Sequence, residues 1–97
     1  MKVNFSEVFV DLDGDVITDN GKPVTLGKMA AQALLATDPN APESGDEKAR
    51  AYSVALTANR GGEAELDIED VALIKQKIGK YMTAIIVGQA FRMLEQR

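Results

Sequence analysis

The sequence predicts an α+β domain that is mainly helical, with an N-terminal β-hairpin followed by about four helices. Residues 2–18 are rich in β-branched and aromatic types around the turn signal Asp13-Gly14, and apolar residues recur at helical spacing in four later segments. A chain of 97 residues, 45% hydrophobic and 27% charged, is typical of one small globular domain. We therefore expect residues 1–97 to form one domain, with the hairpin in 2–18 and the helical part in 25–95.

The beginnings of the helices are marked by capping residues. Thr25 and Asp67 precede the first and third apolar repeats, where a side-chain oxygen can accept from the free amides of the first turn. Ser44 with Glu47 three residues later has the pattern of a capping box for the second helix. Thr83 is the expected start of a fourth helix.

Several boundaries and faces between these points are also predicted. Residues 37–45 contain two prolines and should form a loop, and Gly79 is a candidate terminator of the third helix. Residues 63–66 are expected to add a short strand to the hairpin. The inward side of the second helix is predicted to consist of Ala51, Tyr52, Ala55 and Leu56.

The last segment, residues 83–95, is apolar around most of a helix. Such a helix either lies at the centre of a core or has a face that a partner covers. We expect the third and fourth helices to form an antiparallel core pair, with the remaining apolar surface of the fourth available to another protein. This surface also predicts self-association, most simply as a symmetric homodimer. The residues expected to bind protein are Ile85, Ile86, Gln89, Phe91 and Met93.

The composition argues against an enzyme or a metalloprotein. The chain has no cysteine and no histidine, so it lacks disulfides, thiolate ligands and the most common general base and zinc ligand. Residues 11–15 contain three aspartates, but an EF-hand loop starting at Asp11 would need Gly at its sixth position and Glu at its twelfth, where Val16 and Lys22 stand. We therefore expect no catalytic residues, no metal and no cofactor.

The charge distribution makes nucleic-acid binding the less favoured of the two function hypotheses. The net charge is −4, and the first half of the chain is acidic, which opposes contact with phosphates. The alternative function, a nucleic-acid-associated factor, would use the basic stretch Lys75, Lys77 and Lys80. The first residues lack the apolar stretch of a secretory signal, and no apolar run approaches the roughly 20 residues of a membrane span. A cytoplasmic protein without a membrane contact is expected.

Several short segments spread over nearly the whole chain carry a family resemblance. They are Asp11-Leu12-Asp13-Gly14, Gly21–Leu26, Gln32–Ala36, Ser44–Lys48, Glu69–Lys75, Ile78-Gly79-Lys80 and Val87–Phe91 with Leu94-Glu95. In these segments the chain resembles small, mostly uncharacterised accessory proteins of tailed bacteriophages and prophages. The resemblance implies a phage accessory protein that works in the cytoplasm of the bacterial host. Together with the composition, it favours a non-enzymatic protein-binding module whose partner is a phage or host protein, in assembly or host interaction.

Overall fold

The computed structural model describes residues 1–95 and confirms the predicted class, an α+β fold that is mainly helical. None of the helices in this part of the chain is long and apolar enough to cross a membrane. The elements in chain order are β1 (Lys2–Asn4), β2 (Thr18–Asp19), β3 (Lys22–Pro23), α1 (Leu26–Leu35), α2 (Gly45–Asn59), β4 (Glu63–Glu65), α3 (Ile68–Tyr81) and α4 (Ala84–Glu95).

β1 does not pair with its neighbours in sequence, which corrects the expectation of one hairpin over residues 2–18. It runs antiparallel to β4, with Val3 opposite Ala64. The chain turns directly after β1, where the amide of Glu7 donates to the carbonyl of Asn4 at 3.3 Å, so the strand ends before it can pair locally. The strand expected over 63–66 is confirmed, and its partner is β1.

The chain does reverse direction at Asp13-Gly14, as predicted. Val10 and Val16 pair across this turn in a single antiparallel bridge rather than a ladder. A second reversal joins β2 to β3 through Asn20-Gly21, whose φ angles of 53° and 78° are both positive. Glycine and asparagine tolerate this conformation best, and it suits the tight connection of a two-residue hairpin.

The predicted N-caps are confirmed, because Thr25, Ser44 and Asp67 each accept a hydrogen bond from the amide three residues later. Ser44 forms the full capping box with Glu47, whose carboxylate accepts from the Ser44 amide at 3.2 Å. Capping of this kind satisfies amides that have no partner within the helix. These local contacts fix where the first three helices begin.

Gly79 does not end α3, which corrects that expectation, and the helix continues to Tyr81. The ring of Phe91 in α4 lies 3.5 Å from the place that a Cβ atom on Gly79 would take, an ordinary contact distance, so α4 packs beside this position. The Lys75 ammonium lies 3.5 Å from the carboxylate of Glu95. Because earlier residues of α3 face later residues of α4, the two helices are antiparallel, as predicted.

The most extensive helix contact is between α1 and α2, and the predicted pair α3 and α4 makes a smaller one. α1 also packs against α3, so it is the helix that joins the others into one core. A missing side chain lets α1 and α2 approach closely, because a Cβ atom on Gly27 would overlap the carbonyl oxygen of Ala58. Both helices also bury several alanines, namely Ala30, Ala31 and Ala33 in α1 and Ala51, Ala55 and Ala58 in α2. The largest fully buried side chains of the core are Phe5, Phe9, Leu26, Ile74, Ile78 and Leu94.

Candidate functional site

Most apolar residues of α4 are buried or half-buried within the fold. Ile86, one of the residues expected to bind protein, is only 8% exposed and lies in the core with Ala90 and Leu94. This corrects its assignment to an interaction surface. Ile85 and Met93 are half-buried and pack against the same core. Phe91 is also half-buried, and its ring lies beside the Lys75 ammonium of α3. The exposed side of α4 is small or polar, consisting of Ala84, Gly88, Arg92 and Glu95.

Gln89 has a structural partner, which corrects its expected role as a contact for another protein. Its side-chain oxygen accepts from the amide of Val10 at 2.9 Å, and its side-chain nitrogen donates to the carbonyl of Val10 at 2.7 Å. The same nitrogen donates to the carbonyl of Ile85 at 3.1 Å. Both hydrogen-bonding groups of the side chain are therefore occupied. The amide holds the segment before the Asp13-Gly14 turn against α4.

The lysines of the expected nucleic-acid surface are each paired with a carboxylate. Lys75 pairs with Glu95 and its ammonium lies 5.1 Å from the centre of the Phe91 ring. Lys77 is 6% exposed and its ammonium lies 2.8 Å from the carboxylate of Glu43. The three ammonium groups therefore do not form an unneutralised stripe for phosphates, which reduces the support for this candidate surface.

The third lysine, Lys80, lies 3.2 Å from the carboxylate of Asp38. A hydrogen bond donated by the amide of Asn40, followed by the contact with Lys80, lowers the pKa of Asp38. The hydrogen bond to Asp38 in turn raises the pKa of Lys80. The pairs formed by Asp38 and Glu43 therefore fasten the loop before α2 onto α3 at two points.

The aspartates of residues 11–15 organise their own turn. One oxygen of Asp11 accepts from the amides of Asp13 and Asp15 at 2.9 and 3.0 Å. Within residues 1–95, no three carboxylates converge closely enough to hold a metal ion. The turn instead presents Leu12 to solvent, since this side chain is 95% exposed.

An apolar groove lies between α1 and α2 on the outside of the fold. Its volume is about 340 Å³, and Leu35, Tyr52 and Leu56 form its walls while remaining 56, 56 and 43% exposed. Ala31 of α1 and Ala55 of α2 form its floor. At one end the Lys28 ammonium donates to the side-chain oxygen of Asn59 at 3.0 Å. The lining residues are Lys28, Ala31, Gln32, Leu35, Tyr52, Ala55, Leu56 and Asn59.

This groove was not predicted, because the inward side of α2 was assigned one position away from where it lies. The buried residues of α2 are Ala51, Val54, Ala55 and Ala58, which follow the i, i+3, i+4, i+7 spacing of a single helix face. Tyr52 and Leu56, which were expected on the same side of the helix as Ala51 and Ala55, lie beside this face and are exposed. The alanine spacing was the signal in the sequence, but larger apolar side chains outweighed it.

Two further cavities are less suited to an apolar partner. The one beside the start of α3 has about 690 Å³, and charges of both signs surround it, including Lys75 and Glu95, which pair with each other. The other has about 260 Å³ and is lined by the paired residues Glu43 and Lys77 together with Lys80. The α1/α2 groove differs from both because Lys28 is its only charged lining residue.

No family model matches the chain, and neither a curated protein nor a solved structure matches it.

Proposed function

We propose that the chain is a non-enzymatic protein-binding module and that the α1/α2 groove is its docking surface. The observation that supports this most is the cluster of Leu35, Tyr52 and Leu56, three large side chains left exposed around a floor of alanines. Clefts that bind small-molecule ligands have volumes of about 300–1,000 Å³, and this groove lies at the low end of that range, with room for one or two side chains of a partner. Aromatic anchors such as Tyr52 are also enriched in protein interfaces.

The charged residues around the groove indicate which kind of partner segment it would bind. Among residues 1–95, Lys28 is the one charged residue in the lining. Lys48 lies one helical turn before Tyr52 in α2, and Arg60, the residue that caps the end of α2, lies four positions after Leu56. The surroundings are therefore cationic, although the whole chain carries a net charge of −4. A segment of protein that offers a leucine-sized side chain flanked by carboxylates fits this combination best.

The alternative, a nucleic-acid-associated factor, has less support. It would need Lys75, Lys77 and Lys80 to contact phosphates, and all three ammonium groups already pair with carboxylates in the chain. Binding of phosphate would have to break these pairs, including the buried one at Lys77. No other observation favours nucleic acid.

The proposed setting is the cytoplasm of a bacterial host, with the chain as a phage accessory protein. This part of the proposal is supported by the resemblance of the sequence alone. The absence of histidine and cysteine supports a role without catalysis. A phage or host protein is the proposed partner.

The experiment is site-specific photo-cross-linking in the bacterial host. A benzophenone amino acid replaces Tyr52 in one variant and Ser53, which is exposed but does not line the groove, in a second. We expect a cross-linked product at position 52 that is missing at position 53 and is lost when Leu56→Glu is added. Mass spectrometry of the product should identify an apolar residue beside Asp or Glu in the captured segment. Equal products at both positions, or a product that Leu56→Glu leaves unchanged, would contradict the proposal.

A further inference from the structure

The turn over residues 11–15 carries an unusual side chain at an exposed position. Leu12 is 95% exposed, whereas turns of this kind normally carry Gly, Asn, Asp or Ser. The two hydrogen bonds that Asp11 accepts from the amides of Asp13 and Asp15 hold the turn in one shape. Leu12 is thus a fixed, protruding apolar group that buries no area in its own chain.

The surroundings of Leu12 are acidic and unneutralised. Asp11, Asp13 and Asp15 are all exposed, and none of them forms an ion pair within residues 1–95. The turn therefore offers one leucine flanked by carboxylates. This is the chemistry that the cationic, apolar α1/α2 groove selects.

We propose that a second copy of this chain is an occupant of the groove, with the Leu12 turn of one molecule docked between α1 and α2 of another. This inference rests on the proposed function of the groove. Leu12 meets the walls formed by Leu35, Tyr52 and Leu56, and the aspartates of the turn lie near Lys28. Burial of an exposed leucine supplies the attraction, and opposite charges set the orientation.

Ile68 is a second large apolar side chain with acidic neighbours, and it fits the groove less well. It is 76% exposed at the start of α3, where two of the three carboxylates beside it, those of Asp67 and Asp70, have partners within their own chain. Asp67 caps α3 by accepting from the amide of Asp70, and Asp70 pairs with Arg50 at 3.1 Å. Ile68 therefore serves as a matched control for Leu12.

The contact joins two different surfaces of the same chain, so it is a head-to-tail interface. Interfaces of this kind form rings when the rotation closes and open chains when it does not. The docking of one turn in one groove buries less surface than a standard protein interface, which buries about 1,600 Å² in total. The association should therefore be weak and readily reversible. Added salt should weaken it further, since exposed charges contribute to it.

The test is sedimentation velocity over a series of concentrations from micromolar to millimolar. We expect the average mass of the wild type to rise above 10.4 kDa with concentration. Leu12→Asp removes the docked side chain, and Leu56→Glu places a negative charge in the groove. Each should weaken self-association by about tenfold or more. The controls, Ile68→Asp and Ser53→Glu, introduce the same charged side chains outside the contact and should behave as the wild type.

A mixture of the Leu12→Asp and Leu56→Glu variants gives the decisive measurement. Leu12→Asp keeps an intact groove and Leu56→Glu keeps an intact turn, so the mixture should form a one-to-one dimer that neither variant forms alone. A wild type that stays at 10.4 kDa, a Leu12→Asp variant that associates normally, or a mixture that stays monomeric would overturn the inference. If the wild type stays monomeric while Tyr52 cross-links to another protein, this inference fails and the proposed function of the groove stands.

Discussion

Gly27 in α1 lies so close to the backbone of Ala58 in α2 that a Cβ atom at position 27 would overlap the carbonyl oxygen of Ala58. The same Cβ atom would lie 3.1 Å from the carbonyl oxygen of Phe5. Both neighbours are backbone atoms, so they cannot move aside as a flexible side chain would. The close approach of α1 and α2, which also forms the floor of the groove, therefore depends on the absence of a side chain at this position.

Gly27→Ala should lower the free energy of unfolding by about 1–3 kcal/mol, because the added methyl group overpacks the contact. Gly88→Ala is the matched control: Gly88 lies in α4, and a Cβ atom there would have no neighbour within 4 Å. Alanine is the better helix former, so this change should stabilise the protein by up to about 1 kcal/mol. Urea denaturation of both variants checks the prediction, and equal effects would show that the helices do not approach as described.

Gln89→Leu should destabilise the protein by about 2 kcal/mol, because the amide and the carbonyl of Val10 lose the side chain that satisfies them. The substitution should also loosen the segment around Val10 in the folded protein. Hydrogen exchange at the Val10 amide should become faster than at the amides of α1, since the turn segment is no longer held against α4. An unchanged exchange rate at Val10 would contradict this role of Gln89.

The ion pair between Glu43 and Lys77 is mostly buried, with side-chain exposures of 19 and 8%. Glu43→Gln should lower the free energy of unfolding by about 3 kcal/mol, because it leaves a buried ammonium without its partner. Lys77→Met should lower the free energy of unfolding by less, since the Glu43 carboxylate left behind is nearer to water and the methionine side chain can fill the space of the lysine stem. The double variant should lose less stability than the sum of the single changes. Additive losses in urea denaturation would show that the two groups do not interact.

Local features of the fold were predictable from the sequence, whereas long-range pairing was not. The capping residues Thr25, Ser44 and Asp67 act on amides three residues away, so the pattern alone reveals them. The 37–45 loop was recognised from its prolines, but its attachment to α3 depends on lysines far along the chain. Charge patterns do not show which acid meets which base. For that reason Lys75, Lys77 and Lys80 were interpreted as an unpaired basic stretch.

The groove and the state of α4 were missed for a related reason. Helical periodicity shows that a helix has an apolar side, but it does not show which neighbour covers that side. α4 looked too apolar to be covered within a small domain, yet α3 and the N-terminal segment bury Ile86, Ala90 and Leu94. Tyr52 looked like core because of its size. The tight alanine contact between α1 and α2 leaves it outside.

Stability should fall as the pH is lowered from about 5 to about 3. The hydrogen bond donated by the Ser44 amide, followed by that of its hydroxyl, lowers the pKa of Glu47, and Asp38 also has a lowered pKa. Carboxyl groups of this type have a pKa of about 4 when unfolded, so their contribution is present above that pH and is lost as the pH falls through the folded pKa. Glu47→Gln keeps the capping hydrogen bonds without the charge and should flatten this dependence in urea denaturation at several pH values. A slope equal to that of the wild type would contradict the prediction.

The docking of a Leu12 turn in the α1/α2 groove is tested most directly by amide NMR on a mixture of variants. Isotope-labelled Leu12→Asp protein, which has an intact groove, is titrated with unlabelled Leu56→Glu protein, which has an intact turn. We expect the amide signals of Ala31, Leu35 and Ala55 to shift as the partner is added, while those of α4 stay in place. We expect no shifts when the added partner is unlabelled Leu12→Asp protein. Signals of the groove that stay fixed, or shifts confined to α4, would show that the Leu12 turn does not dock there.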